Sequence, residues 1–208
     1  MSGERDYRPY YRIERPSFGS NGFEEHLALT YEVYRKHGYL EGESCPADLI
    51  DPSDGLDADY RLLYSPEDSL DGTFRILPWS AAGFPFERVC PDVAIPGGAA
   101  RFCETTRLAG RSASGPRSPT AYIAFEAVIE SMVYVRARGL AGLLSLASPA
   151  LSGYINSAFE SVYHPLGRAR WYRGGYVIPT VLWLREFEHV LRIRNPGLLA
   201  YYRERGGF

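Results

Sequence analysis

From residue 60 onward the apolar residues change period in an order that few folds can satisfy. Tyr60–Tyr64 and Gly72–Leu77 are short strand-like runs separated by the acidic, turn-forming Ser65-Pro66-Glu67-Asp68-Ser69-Leu70-Asp71, which is a hairpin pattern. Ala99–Leu108 follows as a candidate central strand. Thr120–Arg138 then carries Phe125, Val128, Ile129 and Met132 at helical spacing, with Gly139 as the stop. Ala141–Ala147 is a continuous apolar run suited to a buried strand, and a helix is expected near Leu151–Tyr163. Tyr176–Leu184 reads as another strand and Arg185–Arg194 as a helix or its continuation. A hairpin followed by β–α–β–α–β calls for a mixed sheet covered by helices on both faces.

The remaining segments fill in around this frame. Residues 1–20, rich in Arg, Tyr and Pro, show no sustained period and are expected to form an N-terminal arm, with residues 21–208 as a single domain. Phe23–His37, with Phe23, Leu27, Val33 and Tyr34 among charges, is an amphipathic helix ended by Gly38. Residues 41–58 are acidic and broken by Pro46, Pro52 and Gly55, so a loop is expected, as it is for the Pro/Gly-rich stretch Pro78–Gly98. A chain of 208 residues fits one domain.

Charge and cysteines exclude several classes. The formal net charge of −2 gives no footprint for nucleic acid, although Lys36 is the only lysine among many arginines. Cys45, Cys90 and Cys103 form no C-x-x-C pair, which leaves neither a zinc cluster nor an even disulfide framework and points to reduced thiols in the cytoplasm. His26, His37, His164 and His189 are dispersed and show no metal spacing. No stretch approaches the roughly 18 apolar residues of a membrane span, and the start lacks a signal-peptide pattern.

Four segments carry a resemblance in their order and spacing: the helix Leu29–Gly38 with Tyr39 after it, Gly72-Thr73-Phe74-Arg75-Ile76, Cys103-Glu104-Thr105-Thr106-Arg107-Leu108, and the helix and apolar strand from Thr120 to Ala147. Together they resemble the superfamily of acyl-homoserine-lactone synthases and N-acyl amino acid synthases, including acyltransferases associated with exosortase systems. The resemblance covers roughly residues 23–184. It implies a GNAT-like α/β (α+β) fold, with a mixed, mostly antiparallel central sheet flanked by helices on both faces. It also implies an N-acyltransferase that moves a medium- or long-chain fatty acyl group from an acyl-carrier-protein or coenzyme A thioester to the amine of an amino acid or related small molecule. The co-substrate is then the acyl thioester, with no tightly bound cofactor. The lactone synthases usually carry an arginine four residues before the helix aromatic and a tryptophan after the glycine, where this chain has Thr30 and Tyr39. That weakens the case for S-adenosylmethionine as acceptor. A lactone synthase, or an inactive acyl-binding protein of the same fold, is the alternative.

The chemistry places demands of its own. Amide formation needs a neutral amine, yet a free α-amino group has a pKa of about 7.7–8.0, so a carboxylate or an ordered water must take its proton. Glu104 is the candidate base. The resemblance adds Arg107 and Arg75 to the expected catalytic set. The bland reading of Glu104 and Arg107 is a structural ion pair, but residues three apart on a regular strand face opposite ways, so direct pairing needs a bulge or a strand end. Arg75 has its own structural alternative, pairing with Asp59 or Asp71.

A thioester oxyanion needs aimed donors, such as backbone N–H groups freed where the central strand diverges from its neighbour. That divergence is what the resemblance implies. Phe102, Thr105, Thr106 and Phe125, with Ile129, are expected to line the acyl and phosphopantetheine channel. Arg111 and Arg117, in the Gly-rich loop from Gly110 to Ser118 ahead of a helix, are expected to attract its phosphate. The resemblance implies that Tyr34, Tyr39, Asp54 and Asp57 face the acceptor, although Asp51, Asp54 and Asp57 suit a solvated turn equally well. Cys103 reads better as a small core residue than as a nucleophile. Arg136 and Arg138, with Arg168, Arg170 and Arg173, form two clusters that an acidic carrier protein could meet on one rim.

Overall fold

The computed structural model describes residues 11–55, 57–111, 119–160 and 162–206. The chain runs through β1 (Arg12–Glu14), α1 (Asn21–His37), the hairpin β2 (Asp59–Tyr64) and β3 (Leu70–Pro78), and a short helix α2 (Pro85–Val89). It continues through β4 (Phe102–Gly110), α3 (Pro119–Ala137), β5 (Gly142–Ala147) and α4 (Pro149–Ala158). The end of the chain holds β6 (His164–Pro165), β7 (Arg170–Tyr172), β8 (Gly175–Trp183), α5 (Leu184–Arg194) and α6 (Pro196–Gly206).

The strands form one sheet in the order β1-β2-β3-β4-β5-β8-β6, with β7 folded back on β8. Among these pairs β4 and β5 are parallel and the rest antiparallel. The parallel pair follows from the β4–α3–β5 crossover, because parallel neighbours need a connection long enough to return the chain. This is the mixed, mostly antiparallel sheet expected from the sequence.

Strand alternation sorts the core into two layers. Phe74, Ile76, Cys103, Leu143 and Leu182 face one way, into a large core closed by α3, α5 and α6. Leu77, Phe102, Leu144 and Val181 face the other way, under Phe84 and Phe86 of the α2 region. On that second side Tyr60 packs with Phe23 and Leu27 of α1. Helices therefore cover both faces.

Several boundaries depart from the expectation. The arm contributes β1, which pairs with β2 through Arg12↔Tyr64; three residues are too short to show a period. The helix expected to reach Tyr163 ends at Ala158, and the stretch read as a loop from Pro78 to Gly98 contains α2. The acidic loop includes a 3-10 turn over Pro46–Leu49. No helix among the described residues is long and apolar enough to cross a membrane.

Two local features of this frame position the site. Helix α1 starts at Ser20, whose side chain accepts from Phe23 N, and stops at Gly38 in the left-handed region (φ 73°). Tyr39 N then donates back to Tyr34 O at 2.9 Å, so the stop fixes Tyr39 beside Tyr34, ring centroids 5.8 Å apart. The second feature is in β4. It pairs with β5 only from Phe102↔Gly142 to Thr105↔Ser145; beyond that, β4 follows β3 to Gly110 while β5 follows β8 to Ala147. The two parallel strands part after Thr105.

Candidate active site

Where β4 and β5 part, a cavity of about 380 Å³ opens. Its walls include Ala124, Ala127 and Val128 of α3 and Val33 and Tyr34 of α1, and these helices pack on opposite faces of the sheet. The opening therefore passes through the sheet at the gap. Leu143, Leu151 and Ile155 extend an apolar lining.

A second cavity of about 350 Å³ lies on the α1 and α2 side. It has a different character, with Asp51, Arg75, Arg88, Glu104 and Arg107 in its wall. Tyr34, Thr105, Thr106, Arg107, Tyr172 and Arg173 border both cavities. An apolar channel and a polar chamber thus meet at the strand divergence.

In the polar chamber β4 carries a bulge. Thr73 pairs with Ala109 and Arg75 with Thr106, so Arg107 and Leu108 stand opposite a single β3 residue, and Arg107 takes a left-handed φ of 53°. The bulge returns the Arg107 side chain to the face that holds Arg75. The two guanidiniums then share two carboxylates. Arg75 Nη1 donates to Asp54 Oδ1 at 2.6 Å and Nη2 to Asp51 Oδ2 at 3.1 Å, while its Nε donates to Thr106 Oγ1 at 3.0 Å. Arg107 donates to Asp54 at 3.0 and 2.9 Å, to Asp51 at 3.2 Å and to the Leu49 carbonyl. Tyr60 OH adds a 2.8 Å bond to Asp54. Burial works against ionisation of Asp51, but Arg75 and Arg107 outweigh it and hold the carboxyl down at about 2. Asp54 is likewise held below the ordinary range.

Glu104 stands apart from this cluster. Its side chain is fully buried; Oε2 accepts from Phe86 N at 3.0 Å, and Oε1 has no hydrogen-bond partner among the described residues. Burial pushes its carboxyl up to about 8, with the Phe86 N–H and the charges of Arg75 and Arg88 offsetting only part of that. The bulge exists, yet it turns Arg107 to the aspartates and leaves Glu104 without an ion pair.

The expected residues divide accordingly. Glu104, Arg107, Arg75, Thr105, Thr106, Tyr34 and Tyr39 all border one or both cavities. Arg75 pairs with Asp51 and Asp54, and Asp59 instead holds Arg61. Asp54 is at the site, with both its oxygens engaged by the arginines, Tyr60 OH and Asp51 N. Asp57 is exposed, in a left-handed turn, and borders neither cavity.

Other expectations need correction. Phe102 lies on the α2 face against Trp183, ring centroids 5.2 Å apart, and Phe125 stacks on Phe159 at 5.0 Å; neither they nor Ile129 line the channel. Small residues of α3 make the space. Arg111 is exposed and pairs with Glu32 at 3.2 Å, while Arg117 and most of its loop lie outside the described residues. Cys103 is buried and its thiol is pushed far up by that burial, which suits a core residue.

The two arginine clusters do not share a rim. Arg136 and Arg138 sit at the end of α3 next to the Phe102/Gly142 end of the parallel pair, whereas the cavities open beyond Thr105 and Ser145 at the other end. Arg136 pairs with Glu188 and Arg170 with Asp92, and Arg173 alone of the five borders the cavities, held by Glu43. Sequence reasoning missed Arg88, Tyr172 and Ser145, which come from segments whose local pattern carries no chemical signature.

Solved structures of other proteins share this arrangement of elements. FeeM, an N-acyl amino acid synthase from uncultured soil microbes, superposes with a TM-score of 0.61 at 18% identity, over 86% of this chain and 94% of that one. The acyl-homoserine-lactone synthase LasI gives 0.63 at 14%, over 85% and 91%. BjaI, a coenzyme-A-dependent acyl-homoserine lactone synthase solved with SAM and isopentyl-CoA, gives 0.63 at 16%, over 95% and 90%. The fold is the GNAT-like fold of the autoinducer and N-acyl amino acid synthases. At the sequence level, neither a scan of family models nor a comparison with curated proteins gives a match. The resemblance read from the Arg75, Glu104 and Arg107 segments thus corresponds to a shared three-dimensional frame.

Proposed function

We propose that the protein is an N-acyltransferase that moves a fatty acyl group from a thioester, carried by coenzyme A or an acyl carrier protein, to the amine of an amino acid or a related small molecule. The observation that carries this reading is the meeting of an apolar channel and a polar chamber at the β4–β5 divergence, with an unpaired, buried Glu104 carboxyl in the chamber. Each cavity lies within the roughly 300–1,000 Å³ usual for small-molecule sites.

In this reading the acyl chain lies between α1 and α3 and its thioester reaches the gap. Glu104, as carboxylate, accepts a proton from the acceptor ammonium. A carboxyl pushed up to about 8 is matched to an α-amino group at about 7.7–8.0, so the transfer is nearly thermoneutral. The free amine attacks the thioester carbon, a C–N bond forms, and the carbonyl electrons move to oxygen. The edge of β4 beyond Thr105 has lost its β5 partner and offers the place for backbone donors to that oxyanion. Collapse breaks the C–S bond; the sulfur leaves with the second amine proton, and Glu104 returns the first to solvent. The paired Arg75, Arg107, Asp51 and Asp54 hold the bulge and the chamber wall.

Mass spectrometry of lipid extracts from cells expressing the protein tests the reading, because an N-acyl amide reveals both substrates. New amides should appear and should vanish with Glu104→Gln. Extracts that match between the parent and that variant would refute it.

A further inference from the structure

The four arginines of the polar chamber are not equivalent. Arg75 and Arg107 are saturated by Asp51 and Asp54, and Arg173 is held by Glu43. Arg88 has no carboxylate partner among the described residues; its Nη1 makes a long 3.4 Å bond to the Ala82 carbonyl. Arg88 is exposed and lines the chamber. A cation that borders a cavity and is left uncompensated is the element a site would use for an anionic ligand group.

Its placement relative to Glu104 adds the second half. Helix α2 supplies both contacts: the Phe86 N–H orients Glu104 Oε2, and Arg88, two residues on, is near enough for its charge to act on the Glu104 carboxyl. Glu104, whose Oε1 has no hydrogen-bond partner among the described residues, and Arg88, which has no carboxylate partner among them, thus both line one chamber. One recognises a cation and the other an anion. The aspartates cannot substitute for Glu104 here, because both are neutralised by Arg75 and Arg107.

We propose that Arg88 binds the carboxylate of a zwitterionic acceptor whose ammonium faces Glu104, so that the enzyme selects α-amino acids over the amines left by their decarboxylation. The inference rests on the acyl-transfer reading only for what happens to the amine; the charge recognition stands without it. A guanidinium–carboxylate contact is charge-assisted and bidentate where geometry allows, so its loss at a partly exposed site corresponds to about a 10- to 100-fold weakening.

The test separates binding from turnover. Equilibrium dialysis with the purified protein, in the presence of S-decyl-coenzyme A as a thioether that cannot transfer, measures leucine against 3-methylbutylamine and phenylalanine against 2-phenylethylamine. Turnover is measured on the same pairs with decanoyl-coenzyme A. The parent should favour at least one amino acid over its amine. Arg88→Ala should remove that preference by about 10- to 100-fold in Kd or KM, with the amine's values nearly unchanged, and Arg88→Lys should restore part of it. Carboxylate-dependent binding that is lost in Arg88→Ala, in a protein that forms no amide, would sink the acyl-transfer reading and leave this inference standing. Equal losses for acid and amine, a parent that prefers the amine, or binding of neither member of any pair would overturn it.

Discussion

Glu104→Gln should separate the stability of this protein from its activity, and the burial of the carboxyl sets the direction of the first effect. A carboxyl whose ordinary value is about 4.5 stands at about 8 in the fold, because the side chain is fully buried and one oxygen has no partner. Between those two values the unfolded chain ionises Glu104 while the folded chain keeps it protonated, so the unfolded state binds fewer protons and stability falls as pH rises. Below about 4.5 both states are protonated and the effect vanishes; above about 8 it is complete. At about 1.4 kcal/mol per pH unit the full effect is about 5 kcal/mol, and water entering the chamber should reduce the measured value to about 2–4 kcal/mol. Glutamine keeps the shape and cannot ionise. Urea unfolding at pH 5 and pH 9 should therefore show the variant close to the parent at pH 5 and more stable by about 2–4 kcal/mol at pH 9, while acyl transfer falls by about 10²–10⁴. Stability curves that run parallel across this range would refute the burial argument. Unchanged turnover would remove Glu104 from the mechanism.

Other perturbations test the surrounding wall. Asp54→Asn leaves two buried guanidiniums with Asp51 alone and should cost about 3–5 kcal/mol in urea unfolding; a loss under about 1 kcal/mol would mean the pairs contribute little. Asp51, held at about 2 against an ordinary 3.8, contributes stability that is fully present above about pH 4 and lost as pH falls towards 2. Thermal melts of Asp51→Asn should lack the part of the acid-induced drop that the parent shows over that interval. Ala127→Phe fills the channel between α1 and α3, so a panel of acyl-coenzyme A donors should shift towards shorter chains; an unchanged chain-length profile would place the acyl group elsewhere.

Much of the frame was legible because it depends on local pattern. Ser20 and Gly38 bound α1 by chemistry that is local to the helix ends, and the long helix between β4 and β5 gives the chain the length a parallel pair needs, although the strand–helix–strand run from β5 to β8 ends antiparallel. What failed depended on contacts far apart in the chain. The turn at Arg107 arises from its register against β3, and nothing in Cys103–Leu108 announces a bulge. Arg75 and Arg107 find Asp51 and Asp54 across separations of 21 to 56 residues, so Asp59 and Asp71, nearer Arg75 in sequence, were natural but wrong partners. Phe102 suits an apolar channel wall, but its parity puts it on the same face as Glu104, in the core under α2. The channel is instead made by Ala124 and Ala127, whose short side chains leave room, and smallness on a helix reads in sequence as close packing. Strands of two or three residues, such as β6 and β7, carry no period at all.

The pairing of the arginines also bears on the role proposed for Glu104. Two guanidiniums close to a buried carboxylate would ordinarily pull its pKa down and leave a weak proton acceptor. Here Asp51 and Asp54 answer both positive charges, and the cluster of two arginines and two aspartates is neutral. Seen from Glu104 it acts as a set of short-range dipoles more than as a net cation, so burial dominates and the carboxyl rises to about 8. The same neutrality leaves Arg88 as the chamber's cation with no carboxylate partner among the described residues. Arg88 is exposed and solvated, which limits its pull on Glu104 in the empty chamber. An acceptor carboxylate seated on Arg88 would cancel that small pull while the acceptor ammonium acts on Glu104 in the opposite sense, so the two charges recognise the zwitterion and leave the base poised near the amine it must deprotonate.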